Sequence, residues 1–177
     1  MIPLGVSVAA ATLIGNALGR GDATEAATMT RVALAIVAVY AVINSGAYNF
    51  FPASWTRVFS DDVDTVALST RLFPVLWLYG LADATFAVTS GVLRGAGRPS
   101  IVAIGTTCGT FLVGAPLVYA LGFKADLKLT GVWLAMTSTW AACTCAFSYV
   151  LFVRTDWNDE VAKAQERNAR GETALAH

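Results

Sequence analysis

Charged side chains are scarce in this sequence. Lys, Arg, Asp and Glu make up 14% of the 177 residues, whereas a typical soluble domain carries roughly 25%. A chain with so few charges lacks the side chains that keep a soluble surface hydrated, and its mean hydropathy is +0.60. The 12 basic and 12 acidic residues balance, which argues against a nucleic-acid partner, because such proteins usually carry a basic excess.

Residues that build enzyme and metal sites are also scarce. The single histidine, His177, is the last residue of the chain. Cys108, Cys143 and Cys145 lie within apolar stretches, and the last two point in different directions on a helix, so they cannot form a metal-binding pair. Glycine-rich phosphate loops with flanking strands are absent from the sequence. We therefore predict that the protein is not an enzyme and holds no metal or other cofactor.

Long runs without charge determine the fold class. A helix rises about 1.5 Å per residue, so about 20 residues cross a hydrocarbon core of about 30 Å. Four runs pass this test, and the apolar amino terminus is just long enough. A signal peptide is the weaker interpretation of that terminus, because no basic residue precedes it. The sequence predicts an all-α protein of the lipid bilayer with spans at about 1–19, 32–54, 72–93, 100–123 and 129–153.

The distribution of basic residues predicts the orientation. Five spans place eight Lys and Arg residues on the side of the carboxyl terminus and four on the other side. Cytoplasmic loops retain basic residues, so we predict that the polar tail, 154–177, is cytoplasmic. The tail lacks an apolar face of any length, and we expect a short, frayed helix whose charges are solvated. Which membrane holds the protein, plasma or vacuolar, is left open by the sequence.

One charged residue lies deep within a predicted span. Asp83 is in the middle of the run 72–93, where a carboxylate costs about 2.5–3.5 kcal/mol on insertion scales. Such residues usually face a bundle interior or a water-filled cavity and mark an ion or proton path. Desolvation favours the neutral form, so Asp83 could exchange a proton or trade one for a cation. The alternative is a protonated Asp that hydrogen-bonds a neighbouring helix.

Polar residues and prolines accompany Asp83. Thr85 and Thr89 follow it, and Thr106 and Thr110 lie on the next span; they could line a hydrophilic cavity or merely bond across helices. Each of two prolines removes a backbone donor and can bend its helix, and bent helices recur around the midplane sites of transporters. These prolines are Pro74 and Pro116.

Small and aromatic residues indicate close helix packing. Gly91 with Gly95, and Gly105 with Gly109, have a spacing that lets helices approach closely. Because Gly91 and Gly95 fall at a helix end, a turn is an equally good interpretation there. Aromatic packing is favoured over a substrate cage for three tryptophans within the spans: Trp77, Trp133 and Trp140.

Short motifs occur in order along nearly the whole chain. The most specific is Gly91-Val92-Leu93-Arg94-Gly95-Ala96-Gly97-Arg98, and others lie at 3–21, 58–62, 114–117, 131–133 and 154–157. Together they resemble the multidrug and toxic compound extrusion (MATE) family of cation-coupled antiporters, in its eukaryotic style. The resemblance places the chain at the end of the carboxyl-terminal lobe of a twelve-helix transporter, with the motif at the end of the tenth helix.

The resemblance carries functional expectations. It implies two six-helix lobes, alternating access, and export of organic cations or other xenobiotics against proton or sodium flow. Eukaryotic members carry a carboxylate nine residues before the valine of the motif, and Val92 minus nine is Asp83. The coupling role therefore transfers to Asp83, with Asp where Glu is common in the family.

The resemblance also implies that a first lobe is not represented in these 177 residues. A five-helix piece cannot enclose a path between two lobes, so we expect no transport by this chain alone. Two alternatives remain open. The chain could be a non-transporting membrane protein that assembles with a full-length relative, or a relative of lipid-linked sugar flippases, which share the helix plan.

Overall fold

Helices make up almost all of the described chain. The computed structural model describes residues 1–50, 52–59 and 61–175, and the side chains of 45–50, 52, 53 and 171–175 are not described. His177 therefore lies outside the described residues, as does Ser60 of the motif at 58–62. The helices in chain order are α1 (Ile2–Arg20), α2 (Ala23–Phe50), α3 (Pro52–Arg57), α4 (Val63–Gly95), α5 (Pro99–Lys124), α6 (Lys128–Val153) and α7 (Trp157–Leu175).

Five helices are long and apolar enough to cross a membrane: α1, α2, α4, α5 and α6. The predicted all-α membrane fold with five spans is confirmed. The helices extend beyond the predicted runs in places: α4 has 33 residues and begins at Val63, and α2 begins at Ala23. The predicted run 32–54 is divided between α2 and the short α3.

Local sequence explains where the helices begin and end. Asp62 precedes α4, and its carboxylate accepts hydrogen bonds from the backbone N–H and the hydroxyl of Thr65. These bonds lower the pKa of Asp62, as expected for a side chain that caps a helix. Two glycines adopt left-handed conformations that suit glycine best. Gly21, with φ 84°, ends α1, and Gly97, with φ 77°, follows α4.

Helix α4 is the centre of the bundle, in contact with α1, α2 and α6, and α5 packs on α6. The buried core includes Ile14 of α1, Val88 and Val92 of α4, and Leu151 of α6. Large apolar side chains also point outward, among them Phe111, which is 69% exposed. In a membrane such side chains face lipid rather than water, so their exposure is consistent with the predicted spans.

Glycines permit the closest helix contacts. A Cβ atom on Gly91 would collide with Ser7 of α1, and one on Gly95 would lie 2.7 Å from the carbonyl oxygen of Ala11. Gly105 and Gly109 do the same between α5 and α6. A Cβ atom on Gly105 would meet the ring of Phe147, and one on Gly109 would meet the Cys143 sulfur. Both glycine pairs therefore lie where two helices approach closely.

Helix α5 contains two π-helical stretches, Gly109–Gly114 and Tyr119–Lys124, around a short α-helical turn. Pro116 lies in that turn. A proline ring clashes with the carbonyl four residues earlier, and the wider π turn before Pro116 gives that carbonyl more room. Pro74 lies inside α4, which continues through it. Bending at the two prolines stays a prediction.

The expectation for the tail was wrong. Instead of a short, frayed segment, α7 has 19 residues and packs against α1 and α2. Ala164 is buried, and Val161 and Trp157 pack on the core. Glu160 is only 2% exposed and pairs with Arg98, so its charge is not solvated. The tail has an apolar face after all, built from residues three and four apart.

Candidate functional site

Asp83 lies on the wall of a cavity of about 610 Å³. The cavity is formed between the start of α1, the middle of α2, and the facing sides of α4 and α6. Asp83 is half-buried. The other lining residues are Met1, Pro3, Leu4, Tyr40, Asn44, Phe73, Leu76, Tyr79, Gly80, Ala84, Ala87 and Trp133. The only acid within the predicted spans thus faces a cavity large enough for a small organic molecule.

The spacing of α4 explains how Asp83 shares this wall with its neighbours. Tyr79 and Ala87 are four residues before and after it, and residues four apart lie on one helix face. The ring of Tyr79 packs edge-to-face on Trp133 of α6, with 5.0 Å between the ring centres. Sequence reasoning assigned Trp133 to packing and did not single out Tyr79. The structure gives Trp133 both a packing contact and a place on the cavity wall.

The carboxylate of Asp83 is free of direct polar contacts. Among the residues that the structure describes, none forms a hydrogen bond or an ion pair with it. The alternative from the sequence, a hydrogen bond to a neighbouring helix, is therefore not observed there. An unpaired carboxylate at membrane depth is available for a proton or a cation.

The threonines lie elsewhere. The hydroxyl of Thr85 donates to the carbonyl oxygen of Leu81, and the buried Thr89 hydroxyl donates to that of Thr85. Both thus bond within their own helix, and neither lines the Asp83 cavity. Thr106 is also outside that cavity. Thr110 lines a different, largely apolar cavity of about 380 Å³ between α5 and α6. The structure does not bring the four threonines together with Asp83.

Arg94 of the glycine-rich motif contacts α1. Its guanidinium donates a hydrogen bond of 3.1 Å to the hydroxyl of Ser7. That hydroxyl in turn donates to the carbonyl oxygen of Ala87, 2.7 Å away. Ser7 is fully buried, yet a lone serine in an apolar run gives no signal from which sequence reasoning could infer this contact. The motif therefore holds α1 against α4 with two glycines and one arginine.

A second polar cluster lies at the end of α4. Glu160 of α7 accepts hydrogen bonds from Arg98, over 62 residues of sequence, and from Lys163, at 3.0 Å. Burial alone would raise the pKa of Glu160, but the bonds from Arg98 and Lys163 outweigh it and lower that pKa. No group of three His, Cys, Asp or Glu that could hold a metal ion occurs among the described residues.

Comparison with known proteins decides the family. The profile of the MatE family matches residues 1–120, which include α1, α2, α4, the glycine-rich motif and Asp83.

The chain belongs to the MatE family.

Named relatives match nearly the whole chain. It is 32% identical to multidrug and toxin extrusion protein 2 of Mus musculus over 170 residues, 94% of this chain and 29% of the relative. It is 28% identical to protein DETOXIFICATION 53 of Arabidopsis thaliana, over 94% of this chain and 34% of the relative. The chain spans about a third of the length of these MatE proteins.

A solved structure supports the same assignment. The eukaryotic MATE transporter AtDTX14 superimposes with a TM-score of 0.88 at 27% identity, over 94% of this chain and 37% of that one. The resemblance inferred from the motifs is confirmed. With five apolar helices of spanning length, the protein is a multi-pass integral membrane protein of the MatE family.

Proposed function

We propose that residues 1–177 form part of a secondary exporter of organic cations and other xenobiotics. In this proposal Asp83 couples export to inward flow of protons or sodium ions by alternating access. One observation carries it: the half-buried Asp83 carboxylate faces a cavity of about 610 Å³ without a partner among the described residues. Membership of the MatE family supports the same reading.

The chemistry requires only that one carboxylate holds different partners in turn. A proton or a sodium ion neutralises Asp83 and lowers the cost of its burial in the membrane. When that ion leaves, the carboxylate becomes an attractive site for a cationic substrate. The two occupants compete for one charge, so each bound state excludes the other, and this exclusion links their opposite movements.

We further propose that this chain is inactive alone, because its part of the cavity is open and a transport path needs a second lobe. The tail helix α7 lies on the cytoplasmic side in this proposal, since the basic residues concentrate there. The plasma membrane and a vacuolar membrane are the two candidate locations.

The test is a chimaera in which residues 1–177 replace the matching part of multidrug and toxin extrusion protein 2. Tetraethylammonium uptake driven by a pH gradient is measured in inside-out vesicles. We expect Asp83→Asn to reduce uptake at least about tenfold, the loss typical of a removed proton-transfer group. Asp64→Asn is the matched control, because Asp64 is an exposed carboxylate in the first turn of the same helix.

The outcomes separate the hypotheses. If Asp83→Asn keeps the uptake rate and its pH dependence, Asp83 is not the coupling site. Clear proton-dependent export from vesicles that contain only residues 1–177 would overturn the proposed inactivity of the chain alone. Co-purification of the chain with a full-length relative, without a change in transport, would favour the non-transporting alternative, and movement of lipid-linked sugars would favour the flippase alternative.

A further inference from the structure

Helix α7 packs across the turn that joins α1 to α2. A Cβ atom on Gly21 would lie 2.9 Å from the side-chain nitrogen of Gln165 and 3.9 Å from a methyl group of Val161. A Cβ atom on Gly19 would lie 3.9 Å from the side-chain nitrogen of Asn168. Val161, Gln165 and Asn168 are four and then three residues apart, so they form one face of α7. This face lies against the α1–α2 turn.

The neighbouring face of α7 lies against the loop between α4 and α5. Glu160, Ala164 and Arg167 have the same spacing, one residue earlier along the helix. Glu160 accepts a hydrogen bond from Arg98, and Arg167 donates one of 3.3 Å to the carbonyl oxygen of Gly97. A single helix therefore contacts two loops at the same end of the bundle through two adjacent faces.

Glu160 is the most constrained contact of α7. Its side chain is 2% exposed, whereas that of Lys163 is 57% exposed, so Arg98 is its inner partner. Arg98 also reaches the carbonyl oxygen of Arg154 at the end of α6, at 3.5 Å. A buried carboxylate is tolerated only with such partners, because an unpaired buried charge is strongly destabilising. The Arg98–Glu160 pair therefore joins the ends of α4, α6 and α7.

We propose that α7 is a clamp that holds the α1–α2 turn and the α4–α5 loop at a fixed spacing, with Arg98 and Glu160 as its positioning residues. Loss of the pair releases both loops, including the α1–α2 turn that Glu160 itself does not contact in the described structure. The tail is thus a device that immobilises one end of the helices that line the Asp83 cavity. The clamp does not require transport, so it stands or falls separately from the proposed exporter.

The test is amide hydrogen exchange of the purified chain in lipid nanodiscs, followed by peptide mass analysis. In Glu160→Gln we expect exchange at least about tenfold faster in α7, in the α4–α5 loop and in the α1–α2 turn. The α5–α6 loop at 125–127, which α7 does not contact, should be unchanged. The matched control is Glu166→Gln, an exposed carboxylate on the same helix, which should leave all four regions unchanged.

Double substitution separates positioning from general destabilisation. Arg98→Gln with Glu160→Gln should exchange no faster than either single variant, because each single change already breaks the same pair. If Glu160→Gln does not fold, Lys163→Gln is measured instead and should give a smaller acceleration in the same three regions. Faster exchange confined to α7, or equal effects of Glu160→Gln and Glu166→Gln, would overturn the clamp.

Discussion

The buried hydroxyl of Ser7 joins α1 to two points of α4 that are seven residues apart. It donates to the carbonyl oxygen of Ala87 on the cavity wall and accepts from the guanidinium of Arg94. The arginine of the glycine-rich motif therefore serves helix association next to the cavity. This contact gives a physical reason for an arginine at that position that does not involve orientation in the membrane.

Removal of this hydroxyl should weaken the α1–α4 contact. We expect Ser7→Ala to lower the free energy of unfolding by about 1 kcal/mol, the typical net contribution of a hydrogen bond. Ser138→Ala is the control, because the exposed Ser138 hydroxyl bonds only within its own helix, to Leu134. Denaturant unfolding in detergent measures both variants, and equal losses would mean that the contact between helices contributes nothing.

The two glycines Gly91 and Gly80 on α4 should respond oppositely to the same change. A Cβ atom on Gly91 would collide with the backbone and hydroxyl of Ser7, whereas nothing lies within 4 Å of one on Gly80. We expect Gly91→Ala to destabilise by about 1–3 kcal/mol through overpacking. Gly80→Ala should be neutral or stabilise by up to about 1 kcal/mol through helix propensity. Thermal unfolding in detergent distinguishes the two, and a loss at Gly80 as large as that at Gly91 would contradict the packing argument.

The contact between α5 and α6 at Gly109 can be tested by size exchange. A Cβ atom on Gly109 would collide with the Cys143 sulfur, so Gly109→Ala should destabilise by about 1–3 kcal/mol. Addition of Cys143→Ala removes the sulfur and should restore most of that loss. Additive losses in the double variant, measured by the same unfolding assay, would show that the two residues are independent.

Docking of α7 should depend on pH only in acid. The pKa of Glu160 lies below its ordinary value of 4.5, so its ionised form is favoured in the folded state. The stabilisation is therefore complete above the ordinary pKa and is lost as the pH falls through the lowered folded value. Amide exchange in α7 should be constant from about pH 5 to 8, after correction for intrinsic rates, and should accelerate further below. Release of the helix near pH 6 would contradict this assignment.

Much of the fold follows from the distribution of charge along the chain. Runs of 25 residues without charge predict helices long enough to span a bilayer, and Asp83 is conspicuous because it interrupts such a run. The position of Asp83 relative to Val92 identifies the same residue from the family motif. The structure then adds its cavity, which depends on three other helices and could not be read from local spacing.

Other features depend on contacts that no local pattern encodes. Glu160 looks like an ordinary surface acid, and its burial depends on Arg98, 62 residues earlier. The stripe of Trp157, Val161 and Ala164 at helical spacing was the available signal for docking of the tail. The threonines suggested a polar cavity, but a helix can satisfy a threonine hydroxyl with its own carbonyl groups.

The length of α4 sets the depth of Asp83. Its 33 residues extend about 50 Å, and a core of about 30 Å would accept that length only at a tilt above about 50°. Transmembrane helices tilt by about 40° at most, so α4 must project from the membrane. With Arg94 and Arg98 anchoring one end at the interface, Asp83 lies about 18 Å inward, just past the midplane. The first turns of α4, capped by Asp62, then stand in water on the opposite side as a rigid stalk.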